Sequence, residues 1–145
     1  MNAILFKIPD DRLKKLQLIQ NHAARIVKKA NRYCHATPLL KDLHWLPIKS
    51  RIQFKILLLV KSIHGEGPAY LASMLEEYCP SRRLRSADQS RLVEPLTHRK
   101  YGERAFSVAG QKLWNALRDD VKKAETVCSF KSKLKTFLFQ KAYNL

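Results

Sequence analysis

The chain is poor in acidic residues and lacks the residue groupings that build catalytic sites. It has 12 Asp and Glu among 145 residues, against 28 Lys and Arg, which gives a formal net charge of +16. It contains no G-x-S-x-G elbow, no P-loop and no H-E-x-x-H sequence. The adjacent acidic pairs begin at Asp10, Glu76 and Asp119, and none lies in adjoining strands of the kind that present carboxylates to two metal ions. We therefore predict that the chain is not an enzyme and uses no cofactor.

Cysteine is scarce and widely spaced. Cys34, Cys79 and Cys128 are odd in number, and no two of them have the spacing of a zinc-ligand pair or a disulfide framework. Cys34-His35 is the only adjacent Cys/His pair. We therefore expect no metal site, buried reduced cysteines, and an intracellular location in the nucleus or cytoplasm.

Long apolar runs are also missing. No stretch of eighteen apolar residues occurs, and the segment from Met1 to Ile8 is too short and too weakly apolar for a signal peptide. We therefore expect no transmembrane helix and no membrane partner. Hydrophobic residues still make up 46% of the chain, which is enough for one folded domain over residues 1–145.

The hydrophobic periodicity predicts a mainly α, compact helical domain. We expect a helical part over 1–79, a basic arm over 80–103 and C-terminal helices over 104–145. The arm is polar and Arg-rich, and we predict a small β-hairpin or an extended basic arm around residues 82–101, with a short strand at Leu92-Val93. The individual helices are predicted at 9–32, 37–43, 47–65 and 68–78, with further helices that begin near Glu103 and Thr126.

The apolar faces of these helices indicate how they pack. The run from Ile56 to Val60 makes the 47–65 helix apolar around most of its girth, so we expect it at the centre of the core. Trp45 and Trp114 are also expected to pack in the core. On the first helix one side is expected to face inward, and it contains Leu13, Leu16, Ile19, Gln20, Ala23, Ile26, Val27 and Ala30.

The unbalanced charge predicts a polyanionic partner, and phosphate contacts with RNA or DNA fit best. From Arg12 to Arg32 there are seven basic residues and no acid, whereas solvated helix faces usually mix the two signs. One face of the first helix is therefore predicted to bind nucleic acid through Lys14, Arg25, Lys28, Lys29 and Arg32.

The Arg-rich arm is a second predicted nucleic-acid surface. Arginine forks suit phosphate, and the interleaved His98 and Tyr101 could stack on bases. For the first helix the competing interpretation is a solvated charged face. For the arm it is a surface loop held by Leu84 and Leu92. The arm's predicted binding residues are Arg82, Arg83, Arg85, Arg91, Arg99, Lys100 and Arg104.

Several sequence blocks occur in a recognisable order. They are NAILFKIPDDRLKKLQLIQNHAARIV, HATPLLKDLHWLPIKSRIQFKILLLVKSIHGEGPAYL, RRLRSADQSRLVEP, YGERAFSVAGQKLWNAL and FKSKLKTFLF. From about Asn2 to Phe139 the chain resembles the region after the polymerase core in LINE-type, jockey-like non-LTR retrotransposon reverse transcriptases. The motifs LHWLP, LRSADQ, YGERAFSVA and KLWNAL are specific when taken together.

The resemblance implies a thumb-like and post-thumb module that would grip template RNA and target DNA. The polymerase signature, an aromatic residue followed by Ala-Asp-Asp, is absent, so no catalytic residue is carried over and we expect a fragment of a longer parent. In the family the block around the second tryptophan usually ends Ala-Pro-Lys-Leu-Trp-Asn-Ser-Leu-Pro. Here Gly110-Gln111 and Arg118 depart from that pattern and both prolines are lost, and Lys7 stands where glycine is common.

Two other interpretations stay open. The segment 65–79 contains no basic residue, and the catalytic half of the parent is missing. The chain could therefore be a protein-interaction module whose partner is the polymerase core or a second copy of itself. It could also be a drifted copy without a selected function.

Overall fold

The computed structural model describes residues 5–79, 90–97 and 102–145, and the described parts are mainly helical, which confirms the predicted fold class. No helix in these parts is both long and apolar enough to cross a lipid bilayer. The helices are α1 (Asp10–Val27), α2 (Ala36–Asp42), α3 (Ile48–Glu66), α4 (Ala69–Ala72), α5 (Phe106–Asn115), α6 (Asp119–Lys122) and α7 (Val127–Tyr143), with a 3-10 turn at Gly102–Arg104 before α5.

Helix α3 lies at the centre of the core, as its apolar run predicts. It packs against α7 and α5, and also against α1 and α4. Leu57 and Val60 are fully buried on α3, and they share one cluster with Phe130 and Leu134 of α7. Trp114 of α5 is buried in the same cluster, which confirms the prediction that this tryptophan packs in the core.

Glycine at position 110 allows α5 to approach α3 closely. A Cβ atom added at Gly110 would lie 3.0 Å from the Cγ2 atom of Val60, which is tighter than ordinary van der Waals contact.

Helix α1 ends five residues before the predicted boundary. Lys28 is the C-cap, and Lys29 adopts the left-handed conformation with φ of 49°. The Lys29 N–H donates to the Ile26 carbonyl, and the Ala30 N–H donates to the Arg25 carbonyl. This pair of bonds is a Schellman motif, which stops a helix even though lysine replaces the usual glycine. Arg32 therefore lies outside the helix.

The buried side of α1 matches the predicted side only in part. Gln20 is buried as predicted, and so is Ala24, which is not among the residues predicted to face inward, while Ile19 is 66% and Ile26 is 77% exposed. The inward side carries glutamines because they hydrogen bond to the backbone of the loop between α2 and α3, and one of these bonds joins Gln20 Nε2 to the Leu46 carbonyl at 2.9 Å. The inward face of α1 therefore binds backbone polar groups of this loop, whereas the periodicity predicts an apolar inward face.

Helix α4 is a single turn that ends at Ala72, whereas the sequence predicts a helix to about Tyr78. The chain then forms one antiparallel β-bridge between Glu77 and Leu92. The Tyr78 N–H donates to the Arg91 carbonyl and the Val93 N–H donates to the Glu76 carbonyl, both at 2.9 Å.

In place of the predicted strand at Leu92-Val93 the described residues therefore contain this single bridge. Its other residue, Glu77, precedes the arm in the sequence. Of the predicted hairpin or arm, residues 82–89 and 98–101 lie outside the described residues.

Candidate nucleic-acid interface

The predicted basic face of α1 is partly neutralised by carboxylates. Lys28 forms an ion pair with Asp42 of α2, and Lys14 lies 3.4 Å from the Asp11 carboxylate. The pKa of Asp42 lies below its ordinary value because Lys28 donates a hydrogen bond to the carboxylate and attracts its charge. The sequence contains no acid between Arg12 and Arg32. In the folded chain, however, Asp11 and Asp42 from outside that stretch lie next to two of its lysines.

The other three predicted residues of this face are scattered. The Arg25 Nε donates to the Cys34 carbonyl at 3.0 Å. Lys29 follows the helix end, and the Arg32 guanidinium lies over the Tyr33 ring at 4.7 Å from its centroid. The structure therefore does not arrange the five predicted residues as one continuous stripe, although their part in binding stays a prediction.

Two of the predicted arm residues, Arg91 and Arg104, can be placed. Arg91 is exposed beside the β-bridge, and Arg104 is half-buried in the 3-10 turn. Burial lowers the pKa of Lys122, Asp119 opposes this shift, and the positive charge of Arg91 adds to it. The remaining arm residues lie outside the described residues, namely Arg82, Arg83, Arg85, Arg99 and Lys100.

The structure brings together a different set of basic residues, beside the loop that follows α2. This helix ends in a second Schellman motif. His44 adopts φ of 51° and its N–H donates to the Lys41 carbonyl, while the Trp45 N–H donates to the Leu40 carbonyl. The motif reverses the chain, so His44 and Trp45 follow the helix end directly.

Side chains from both ends of the sequence hold this loop in place. Gln17 Oε1 accepts a hydrogen bond from the Ile48 N–H at 2.9 Å. The Tyr143 hydroxyl of α7 donates to the Trp45 carbonyl at 2.7 Å. A tyrosine hydroxyl is protonated at neutral pH, and burial raises the pKa of Tyr143 above its ordinary value of 10.0. Together with the bond from Gln20, these contacts fix the loop against α1 and α7 before any ligand arrives.

A groove of about 350 Å³ opens between this loop, α3 and α7. Its basic residues are Arg51 and Lys55 on α3, and Lys131 and Lys135 on α7. Each pair is spaced i, i+4, which places both members on one helix face. The rest of the lining consists of His44, Trp45, Leu46 and Phe54.

The groove carries uncompensated positive charge. Within the described parts of the chain, no carboxylate forms an ion pair with any of its four basic side chains. A groove that is lined by positively charged side chains attracts anions and raises their local concentration. Arginine can grip a phosphate with its fork, and lysine contributes a point charge.

Aromatic rings border the same groove. His44 is exposed and stacks on Phe139 with ring centroids 5.7 Å apart, while Trp45 and Phe54 are half-buried. Stacking on aromatic side chains adds to phosphate contacts when proteins bind single-stranded nucleic acid. We predict core packing for Trp45, and its half-buried ring both packs against the small cluster of Ala24, Leu40 and Tyr143 and lines the groove.

This groove is absent from the surfaces that the sequence predicts. Lys131, Lys133 and Lys135 stand out as flanks of the apolar stripe on α7, but nothing local places them beside Arg51 and Lys55. The one available signal is the i, i+4 repeat of basic residues in both helices, which is common on solvated faces.

The cysteines provide no metal site in the parts that the structure describes. Cys34, Cys79 and Cys128 are all exposed, so the prediction that they are buried is wrong. Each lies outside the apolar side of a helix, in a loop or in the first turn of α7. Among the described residues no group of three or more His, Cys, Asp or Glu side chains could hold a metal ion.

A comparison of the chain with protein families, curated proteins and solved structures found no match.

Proposed function

We propose that this chain is a non-catalytic nucleic-acid-binding module that grips phosphates in the groove between α3 and α7. The observation that carries the proposal is the convergence of Arg51, Lys55, Lys131 and Lys135 on one groove, where no carboxylate of the described residues forms an ion pair with them. Aromatic rings beside these charges suit a single strand, in which bases can leave the stack and contact side chains.

We further propose that the module is related to the region after the polymerase core of LINE-type reverse transcriptases. Its resemblance to that region supports this origin, and so does the backbone at Lys7. Lys7 adopts φ of 53°, a conformation that favours glycine, and glycine is the residue that is common there in the family. In this role the chain contributes binding and no catalytic group.

The test is fluorescence anisotropy of the purified chain with labelled single-stranded RNA and with duplex DNA across a salt series. Log affinity should fall linearly with log salt, with a slope of about −0.7 to −0.9 for each phosphate bound. The Arg51→Gln/Lys55→Gln variant should bind more weakly, and its slope should be shallower by about 0.7 to 0.9 for each phosphate that it no longer binds.

The matched control is Lys123→Gln/Lys141→Gln, which removes the same charge from exposed positions outside the groove. Equal reductions of affinity in the two variants would show that net charge alone drives binding, and this would overturn the proposed groove. No binding at low salt by a chain with a folded circular-dichroism spectrum would overturn the nucleic-acid function itself.

The predicted face on α1 can be tested in the same assay by changing all of its basic residues to glutamine. A large reduction of affinity in that variant together with unchanged binding by the groove variant would assign the binding surface to α1 instead. The five substitutions are at Lys14, Arg25, Lys28, Lys29 and Arg32.

A further inference from the structure

Helix α1 presents an apolar stripe to solvent. The stripe consists of Leu16, Ile19, Ala23 and Ile26, and its three large residues are 37%, 66% and 77% exposed in that order. Their 3-4-3 spacing is that of the a and d positions of a coiled-coil seam. The inward side of α1 is occupied by other residues, including Gln20 and Ala24, so the stripe is not needed for the core of this chain.

One margin of the stripe and its N-terminal end carry basic residues. Arg12, Lys15 and His22 each precede a stripe residue by four positions, which is about one helical turn. Among the described residues none of the three forms an ion pair. Lys15 and His22 occupy g positions of this seam, from which a coiled coil selects a partner by charge, and Arg12 lies in line with the seam at its N-terminal end, seven residues before Ile19.

We propose that this stripe docks an acidic amphipathic helix of a partner protein. A partner with leucines along its seam and glutamates beside it would cover the apolar residues and pair with Arg12 and Lys15. From Leu16 to Ile26 the stripe is about 15 Å long at 1.5 Å per residue, so a partner helix of two to three heptads would span it.

Charge argues against a second copy of this chain as the occupant. No acidic residue lies between Arg12 and Arg32, so two copies paired in parallel through this stripe would bring like charges together. Each copy also carries a net charge of +16, and this repulsion opposes self-association. A partner helix whose apolar seam is flanked by acidic residues would meet no such repulsion.

The experiment uses a fluorescent three-heptad peptide with leucine at a and d and glutamate at e and g. The comparison peptide has lysine at e and g. We expect the acidic peptide to bind the full chain, and the Ile19→Ser/Ile26→Ser variant to bind it at least about tenfold more weakly. Leu96→Ser is the matched control, because Leu96 is 92% exposed and lies elsewhere.

Charge reversal tests the margin separately. The Arg12→Glu/Lys15→Glu variant should no longer bind the acidic peptide and should bind the lysine peptide instead. Arg51→Gln/Lys55→Gln should leave peptide binding unchanged, which separates this docking surface from the nucleic-acid groove. All of the substituted side chains are solvent-exposed, so circular dichroism should show the same helix content in every variant.

Four results would overturn the proposal. Equal binding of the two peptides, or no effect of the isoleucine substitutions, would rule out a charge-selected seam. A dimer in light scattering that disappears in Ile19→Ser/Ile26→Ser would identify a second copy as the occupant. Sedimentation with phosphatidylserine vesicles that depends on the same isoleucines, without binding of the acidic peptide, would identify a lipid surface.

Discussion

Asn115 should be a main anchor of the segment 90–97. In the β-bridge the backbone hydrogen bonds to Tyr78 and Glu76 are made by Arg91 and Val93, which flank Leu92. The N–H and carbonyl of Leu92 itself therefore point away from Glu77. The Asn115 side chain meets both, since its Oδ1 accepts from the Leu92 N–H at 2.9 Å and its Nδ2 donates to the Leu92 carbonyl at 2.8 Å. One amide side chain thus substitutes for a neighbouring strand.

The magnitude follows from these two bonds. Each neutral hydrogen bond contributes about 0.5–1.5 kcal/mol, and a buried group left without a partner costs about 1–3 kcal/mol. Leu92 is 3% exposed, so water cannot readily replace the missing partners. Alanine at the end of α5 regains about 0.5 kcal/mol of helix propensity. We therefore expect Asn115→Ala to lower the free energy of unfolding by about 2 kcal/mol.

Urea denaturation followed by circular dichroism measures this change, and hydrogen exchange of the Leu92 amide shows where it acts. The control is Glu94→Ala, because Glu94 accepts a third, exposed hydrogen bond from Asn115 at 3.0 Å. We expect the control to stay within about 0.5 kcal/mol of the wild type. An Asn115→Ala variant that matches the wild type in stability and in Leu92 protection would refute the argument.

Two further predictions concern the stability of the fold. Leu134→Ala should lower the free energy of unfolding by about 3–4 kcal/mol in urea denaturation, because Leu134 is fully buried between α3 and α7, whereas Leu96→Ala should change it by less than about 0.5 kcal/mol. His64 has a pKa below its ordinary value of 6.5, chiefly because of burial, with Glu77 opposing the shift. The unfolded chain therefore takes up this proton at a higher pH than the folded chain, so stability should fall as pH drops through 6.5. His64→Gln should flatten that part of the profile of urea midpoint against pH, and superimposable profiles would contradict the assignment.

Local signals account for most of the helix positions. Pro47 precedes α3, and Thr126 caps α7 by accepting a hydrogen bond from the Ser129 N–H at 3.1 Å. Both starts were predictable because a cap depends on a few adjacent residues. The end of α1 was not, since Lys29 takes the left-handed position without the glycine or asparagine that normally marks it.

The candidate site was less predictable because it depends on contacts between distant parts of the sequence. Arg51 and Lys135 line one groove only because α3 packs on α7. Lys28 is paired only because α2 brings Asp42 to the end of α1. A count of charges along the sequence gives the net charge correctly, but it cannot say which cations meet an acid and which remain free.

The exposed stripe and the groove both depend on how α1 is turned. Periodicity predicts that Ile19 and Ile26 face the core, yet Gln17 and Gln20 lie on the inward side and bind the backbone of the loop from Trp45 to Ile48. If α1 were turned to bury its isoleucines, these glutamines would leave the loop, and buried backbone groups would be left without partners. The orientation that keeps the wall of the groove in place is therefore also the one that leaves the apolar stripe open to a partner.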